Sequence, residues 1–195
     1  MLGNLNGALC ISTLVAHEDV RSHGSGNAGL TNFIRNYGLK SGVLVMIVDV
    51  LKAVCACFLG GLVMEPYGYY QEGLMLGAFC VSIGHDFPAL LGFKGGKGIL
   101  CGVTIAAVID WRIALIIFGA FALVYALTQY VSLSSLVGSM LFAVMFVVFH
   151  NDNPFIMWGG VIIGALAVFM HRANITRLIK GTESKTNLFA KGKQQ

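Results

Sequence analysis

The stretch SGVLVMIVDVLKAVCACFLGGLVM, residues 41–64, carries only two charged side chains, Asp49 and Lys52. An α-helix rises about 1.5 Å per residue, so roughly 20 apolar residues cross a hydrocarbon core of about 30 Å. These 24 residues therefore read as a comfortable membrane span. Residues three apart share a helix face, so Asp49 and Lys52 point the same way. An ionisable pair inside lipid is expected to be internal and mutually neutralised, in a structural or a functional role.

Working outward, further apolar runs occupy 2–16, 73–91, 98–109, 111–127, 131–149 and 155–170, seven with the first. The 98–109 run is cut off by Asp110-Trp111-Arg112, a tight polar turn with an interfacial tryptophan, and reads as a short crossing in preference to a re-entrant element. Residues 2–16 contain Asn4 and Asn6 and read as the second half of a longer helix. They lack the basic flank and the small-residue cleavage site of a signal peptide.

Composition agrees. Of 195 residues, 56% are hydrophobic and 11% charged, against about 25% charged in a soluble domain, and the mean hydropathy is +0.77. So little charge cannot cover a wet surface, which excludes a soluble enzyme, a disordered chain and a nucleic-acid-binding module despite the net charge of +4. The five cysteines lie in apolar stretches and read as packing residues. Cys55 and Cys57 would point about 200° apart on a helix and cannot share a metal. No disulfide, metal or cofactor is expected.

If all seven runs cross, the connections 17–40, 92–97, 128–130 and 171–195 lie on one side of the membrane. Those at 65–72, 110 and 150–154 lie on the other. The first side holds Arg21, Arg35, Lys40, Lys94, Lys97, Arg172, Arg177, Lys180, Lys185, Lys191 and Lys193, eleven of the thirteen basic residues. That excess marks the cytoplasmic side. The fold expected is an all-α, polytopic helical membrane protein of about seven transmembrane helices, with the N-terminus outside and the C-terminus cytoplasmic. It forms a single domain over 1–195, in which 171–195 make a cytoplasmic amphipathic helix and tail.

Three polar segments share the basic side. The first reads His23-Gly24-Ser25-Gly26-Asn27-Ala28-Gly29-Leu30-Thr31-Asn32-Phe33-Ile34-Arg35. Gly24, Gly26 and Gly29 match dinucleotide-fingerprint spacing, but no strand precedes them as that motif requires. What the segment offers is a pliable backbone with Ser25, Asn27, Thr31 and Asn32 as donors and Arg35 as fixed charge, suited to an anion. The second segment, Gly84-His85-Asp86-Phe87-Pro88 and Gly92-Phe93-Lys94-Gly95-Gly96-Lys97-Gly98, departs from the Walker pattern, with Gly98 where a magnesium-holding hydroxyl would stand. Two lysines among glycines at the start of an apolar helix still suit a phosphate, which helix-terminal amides and the helix dipole favour. His85 reads either as a general base or as a hydrogen-bonded turn residue. The third segment, 171–185, leaves the last run as a basic amphipathic helix ending at Gly181, able to bind anionic lipid by itself.

In this order on one face, the segments resemble the PlsY family of integral-membrane glycerol-3-phosphate acyltransferases. Residues 24–32 are similar to its first motif, 84–98 to its second, and His171-Arg172 with 174–183 to its third. Asp49-Val50-Leu51-Lys52 and Tyr130-Val131-Ser132-Leu133 match as well. Ala28 stands where the family usually has proline, Leu30 where it has alanine, and Ala173 where it commonly has glutamate. The chain starts about ten residues late relative to family members.

The resemblance implies transfer of a fatty acyl group from acyl phosphate to the 1-hydroxyl of sn-glycerol 3-phosphate, giving 1-acyl-sn-glycerol 3-phosphate and phosphate. It implies a catalytic set of Ser25, Arg35, His85, Lys97 and Asn174. Substrate contacts are expected from Gly24, Gly26, Asn27, Gly29, Thr31, Asn32, Lys94, Gly95, Gly96, Gly98, Ser132, His171, Arg172, Arg177 and Glu183. The setting implied is a monomer in the cytoplasmic membrane of a bacterium, with its site on the cytoplasmic face and an apolar groove between helices for the acyl chain. The His-Asp dyad of acyl-CoA acyltransferases is absent: Ser22, Ala28, Leu90, Phe155 and Thr176 stand five positions after the five histidines. An alternative from another class is a small membrane transporter of phosphate or organophosphate. Transporters usually carry repeated halves and a mid-membrane site, and neither is visible in the sequence.

Overall fold

A computed structural model describes residues 1–185. Among the described residues there are eight α-helices and no strand: α1 (Gly7–Ala16), α2 (Leu30–Met64), α3 (Tyr70–Asp86), α4 (Ile99–Ile109), α5 (Trp111–Thr128), α6 (Val131–Phe149), α7 (Pro154–Met170) and α8 (Arg172–Ile179). Lys191, Lys193 and the tail from 186 onward lie outside the described residues.

Helix ends follow local chemistry. Asp110, in extended backbone, ends α4 and caps α5 by accepting from Arg112 N. Asn153 caps α7 with Pro154 at the first helical position, where a missing N–H costs nothing. Two boundaries differ from the sequence reading. The 2–16 run is not one helix: Leu2–Asn4 form a 3-10 turn, and the Asn6 side chain accepts from Leu9 N and starts α1 afresh at Gly7. Residues 17–40 are not all loop either. Helix α2 begins at Leu30 and breaks at Gly38 (φ 81, ψ 168), a backbone conformation that glycine adopts without steric cost. Thr31, Asn32 and Arg35 thus stand on a helical arm hinged to the span.

Helices α2, α5 and α6, and α3 with the turn after it, are long and apolar enough to cross a bilayer. Helices α7 and α8 meet at 54° and together pass as a fifth span, while α1 and α4 are shorter. Helices α2 and α3 touch backbone to backbone: a methyl at Gly60 would overlap Gly73 O, and one at Gly77 would overlap Ala56 O. Small residues permit this approach where lipid supplies no hydrophobic drive between helices. Met75, Ile105, Ile113, Phe142 and Phe146 fill the core between α3, α4, α5 and α6. Leu44, Ile47, Leu51, Phe58 and Leu62 of α2 and Leu115, Phe118, Leu123 and Leu127 of α5 are exposed, a surface that lipid must cover.

Contacts sort the connections into two groups. Arg21 Nη1 donates to the carbonyls of Leu91 (2.9 Å) and Lys94 (3.2 Å), Lys97 reaches Asn174, and Lys185 lies over the Tyr130 ring. Elsewhere, Asn153 Nδ2 donates to Glu72 at 2.7 Å and Arg112 lies over Phe149. The three segments rich in glycine and basic residues are therefore neighbours.

Candidate active site

Helix α8 turns a polar face back onto the bundle. Lys97 Nζ donates to Asn174 Oδ1 at 2.6 Å, Asn174 Nδ2 donates to Glu183 Oε1 at 2.8 Å, and Arg177 Nε donates to Glu183 Oε2 at 2.6 Å. Ser132, at the start of α6, stands beside the Glu183 carboxyl. Arg35, on the α2 arm, is in electrostatic reach of Glu183 and Arg177. Three cations surround one carboxylate, so the cluster carries excess positive charge and suits an anion. Burial, then repulsion from Arg177, pushes the Lys97 ammonium down to about 8, against the attraction of Glu183. Burial would raise Glu183, but hydrogen bonds from Arg177 and Asn174 hold it below the ordinary carboxylate range. His171 is buried, and its Nδ1 lies 2.8 Å from Ala167 O. A carbonyl can only accept, so Nδ1 carries the proton and Nε2 is left as an acceptor.

The first segment is organised around Asn32, which corrects its expected role. Its side chain is 2% exposed, Nδ2 serves the carbonyls of Val20, His23 and Asn27, and Oδ1 accepts from Ser25 N at 2.9 Å. An amide so fully used shapes the loop and has nothing left for a substrate. Gly24 and Gly26 adopt positive φ, a methyl on Gly24 would overlap Asn32 Oδ1, and Asn27 Oδ1 packs against Gly29. Ser25 stays exposed, and Thr31 is half-buried in the first turn of α2.

The second segment requires a similar correction. Gly95 N donates to Asp86 O at 3.2 Å and Gly96 N to His85 O at 3.1 Å, so these two amides do not cradle an anion. Each glycine is dictated by close approach: a methyl on Gly95 would overlap His85 O, and one on Gly96 would overlap the His85 ring. Lys94 is exposed at the rim. Gly98 (φ 68) caps α4, whose first-turn amides have no partner within the helix.

His85, expected as a candidate base, is instead 4% exposed, with Nδ1 at 2.7 Å from Lys52 Nζ. It is a buried support beneath the loop. Arg172 is exposed and turned aside, its guanidinium over the Phe169 ring and donating to Phe169 O. The sequence reading missed Arg21, which, paired with Asp19 at 2.8 Å, clamps the first segment to the second. Nothing in its local sequence distinguishes it from a basic loop residue.

Next to the charged cluster, a narrow apolar groove of about 40 Å³ runs between α4, α5, α6 and α7, lined by Gly98, Ile99, Gly102, Val103, Ile117, Phe121, Ser135, Gly138, Ser139, Phe142, Ile163, Gly164 and Ala167. Gly98 follows Lys97 in the chain, and Ala167 is the hydrogen-bond partner of His171. An anion held by the cluster would therefore lie at the groove mouth.

Residues 1–181 match the family described as glycerol-3-phosphate acyltransferase. Relatives described as glycerol-3-phosphate acyltransferase include one from Thermoanaerobacter sp. (strain X514), 37% identical over 185 residues, covering 95% of this chain and 90% of the relative. Another, from Clostridioides difficile (strain 630), is 36% identical over 188 residues with the same coverage. The crystal structure of PlsY, an integral membrane glycerol 3-phosphate acyltransferase, in its glycerol 3-phosphate form superposes with a TM-score of 0.84 at 30% identity, covering 97% of this chain and 94% of that one. Its lysophosphatidic acid form gives 0.80 at 29% identity, covering 96% and 91%.

Proposed function

Since the chain belongs to the glycerol-3-phosphate acyltransferase family, we propose that it moves a fatty acyl group from acyl phosphate to the 1-hydroxyl of sn-glycerol 3-phosphate, releasing 1-acyl-sn-glycerol 3-phosphate and inorganic phosphate. The observation that carries this reading is the junction of a cationic cluster with an apolar groove: Lys97, Arg35 and Arg177 gather around Glu183, beside a narrow apolar groove lined by Gly98. Both substrates carry a phosphate, and one carries a long acyl chain. The cluster suits the phosphates and the groove suits the chain.

In this reading Lys97, Arg35 and Asn174, with Ser25 from the first segment, hold the phosphate of glycerol 3-phosphate. Ser132, His171 and Arg177 belong to the same phosphate site, and Glu183 orients Asn174 and Arg177. The first-turn amides of α4 and the side chain of Lys94 face the acyl phosphate. The 1-hydroxyl attacks the acyl carbonyl directly, the C–O bond to phosphate breaks, and the hydroxyl proton passes to a substrate phosphate oxygen. Phosphate is a good leaving group, so positioning and charge stabilisation carry the rate and no covalent enzyme intermediate forms. Among the described residues, all basic side chains except Lys52 and Arg112 lie in the segments on the side of the cluster. That asymmetry supports seven crossings and a site on the cytoplasmic face of a bacterial membrane, with the N-terminus outside.

The test is formation of acylglycerol phosphate and release of phosphate by the purified, detergent-solubilised protein, offered glycerol 3-phosphate with palmitoyl phosphate, palmitoyl-CoA or palmitoyl carrier protein in parallel. Turnover with palmitoyl phosphate alone is expected, reduced about 10²- to 10³-fold in Lys97→Ala, the usual cost of removing one stabilising donor. Turnover with palmitoyl-CoA alone would overturn the donor assignment.

A further inference from the structure

A buried polar knot lies beneath the catalytic loop and touches no part of the anion cluster. Lys52 Nζ, with its side chain 1% exposed, sits 2.7 Å from Asp49 Oδ1, 2.5 Å from Leu5 O and 2.7 Å from His85 Nδ1. An ammonium has three N–H donors and no lone pair, and here it meets a carboxylate oxygen, a carbonyl oxygen and a ring nitrogen, a set it satisfies in full when that nitrogen accepts. Among the described residues Asp49 otherwise accepts a hydrogen bond only from Gly7 N, at 3.2 Å, with His85 Nδ1 3.9 Å away, so without the ammonium its carboxylate would be a buried and nearly bare charge. A neutral amine would have to accept from the ring through its lone pair and would leave the buried Asp49 charge uncompensated. Asp49, His85 and Cys101 place ligand atoms within 4.8 Å of one another, as a metal site would. The Lys52 ammonium already stands between the first two.

A charged Lys52 leaves His85 Nδ1 as an acceptor, so the ring proton must lie on Nε2. That edge of the ring fills the space where a Gly96 side chain would be, next to Lys97, and the His85 carbonyl receives the Gly96 N–H. We propose that Lys52 is a positioning residue, which fixes His85 as an Nε2–H donor and so sets the Gly95-Gly96-Lys97 loop from below. His85 is then a donor and a support for the loop, and no base for the glycerol hydroxyl. Lys52 also ties three separate pieces of chain to one atom: α2, α3 and the segment before α1.

The experiment is ¹⁵N NMR of the full-length, histidine-labelled protein in detergent, with His85→Gln to assign the ring, alongside acyl-transfer kinetics. Wild type is expected to show His85 protonated at Nε2 and bare at Nδ1. Lys52→Met should lose that fixed tautomer and lower kcat/KM at least about tenfold, as removal of a histidine-orienting partner does. Because Lys52→Met strands Asp49, Asp49→Asn/Lys52→Met is the second variant, folded to the same melting temperature and again without the fixed tautomer. A wild-type ring protonated at Nδ1, or variants keeping both the Nε2–H signal and normal kcat/KM, would overturn the proposal. Its kinetic arm rests on the acyl-phosphate reading, whereas the ring signals do not. A wild type that fails to turn over would therefore count against that reading alone.

Discussion

Lys97 and Asn174, 77 positions apart in the chain, meet at 2.6 Å, the ammonium donating to the amide oxygen. The contact joins the glycine-rich loop before α4 to the last helix, and Asn174 passes the connection on to Glu183. A phosphate entering this cluster meets cations already held in place, so little reorganisation remains to be paid during reaction.

Glu183 should therefore matter through geometry. Glu183→Ala strands Asn174 Nδ2 and releases Arg177, and loss of hydrogen bonds to a charged partner costs about 1.5–3 kcal/mol. The expected result is a fall in kcat/KM for glycerol 3-phosphate of about ten- to a hundredfold, at the rate conversion of about 1.4 kcal/mol per decade. Glu183→Gln keeps an acceptor and should lose less. Steady-state kinetics on both variants decide it, and equal losses would show that charge outweighs geometry.

The Lys97 ammonium, lowered to about 8 by burial first and then by Arg177, fixes the sign of a pH effect. Its charged form binds phosphate, so kcat/KM should be level between about pH 7 and 7.5, where phosphate monoesters are already dianions, and decline as pH rises through 8. A guanidinium stays charged to far higher pH. Lys97→Arg should accordingly lack this decline, whatever turnover it retains; a decline that persists would belong to another group.

Gly96→Ala should cost activity because the new methyl overlaps the His85 ring and the loop must move with Lys97 on it. A decrease of at least about tenfold is expected from such misplacement. Gly119, in the middle of α5, meets nothing within 4 Å. There Gly119→Ala should stabilise the helix by about 0.4–1 kcal/mol and leave turnover unchanged. Thermal unfolding and activity of the two variants, measured side by side, check the contrast.

Arg21→Ala removes the bonds to Leu91 O and Lys94 O without touching the anion cluster. We expect KM for acyl phosphate to rise several-fold with kcat little changed, because the loop loosens while the donors around Glu183 stay ordered. A change confined to kcat would contradict this role.

Gly138 lines the apolar groove and has no neighbour closer to its missing side chain than Ile117 O at 3.8 Å. Gly138→Leu should fill the groove and move preference toward shorter acyl phosphates. Discrimination per methylene is typically about 1–3 kcal/mol in an apolar pocket. A chain-length series of acyl phosphates gives the comparison, and an unaltered profile would place the acyl chain elsewhere.

The helices were legible in the sequence because hydropathy and length are local sums. The runs at 111–127 and 131–149 coincide almost residue for residue with α5 and α6. The Asp49–Lys52 pair was legible too, since three residues of helix bring the two side chains together, and they meet at 2.7 Å. Boundaries were missed where a single residue overrides the pattern, as Asn6 does by capping α1 and Gly38 by breaking α2.

By itself, then, the sequence determined an all-helical membrane chain and three polar segments rich in glycine and basic residues, because apolar length and donor type belong to each residue and its near neighbours. Only the tertiary structure decided which donors are free. Asn32, Gly95 and Gly96 are spent on their own loops, Arg172 is turned onto Phe169, and His85 is bound to Lys52 33 positions away. A hydrogen-bonding group offers only as many bonds as it has protons and lone pairs. Partners remote in sequence consume them, and no local pattern records which.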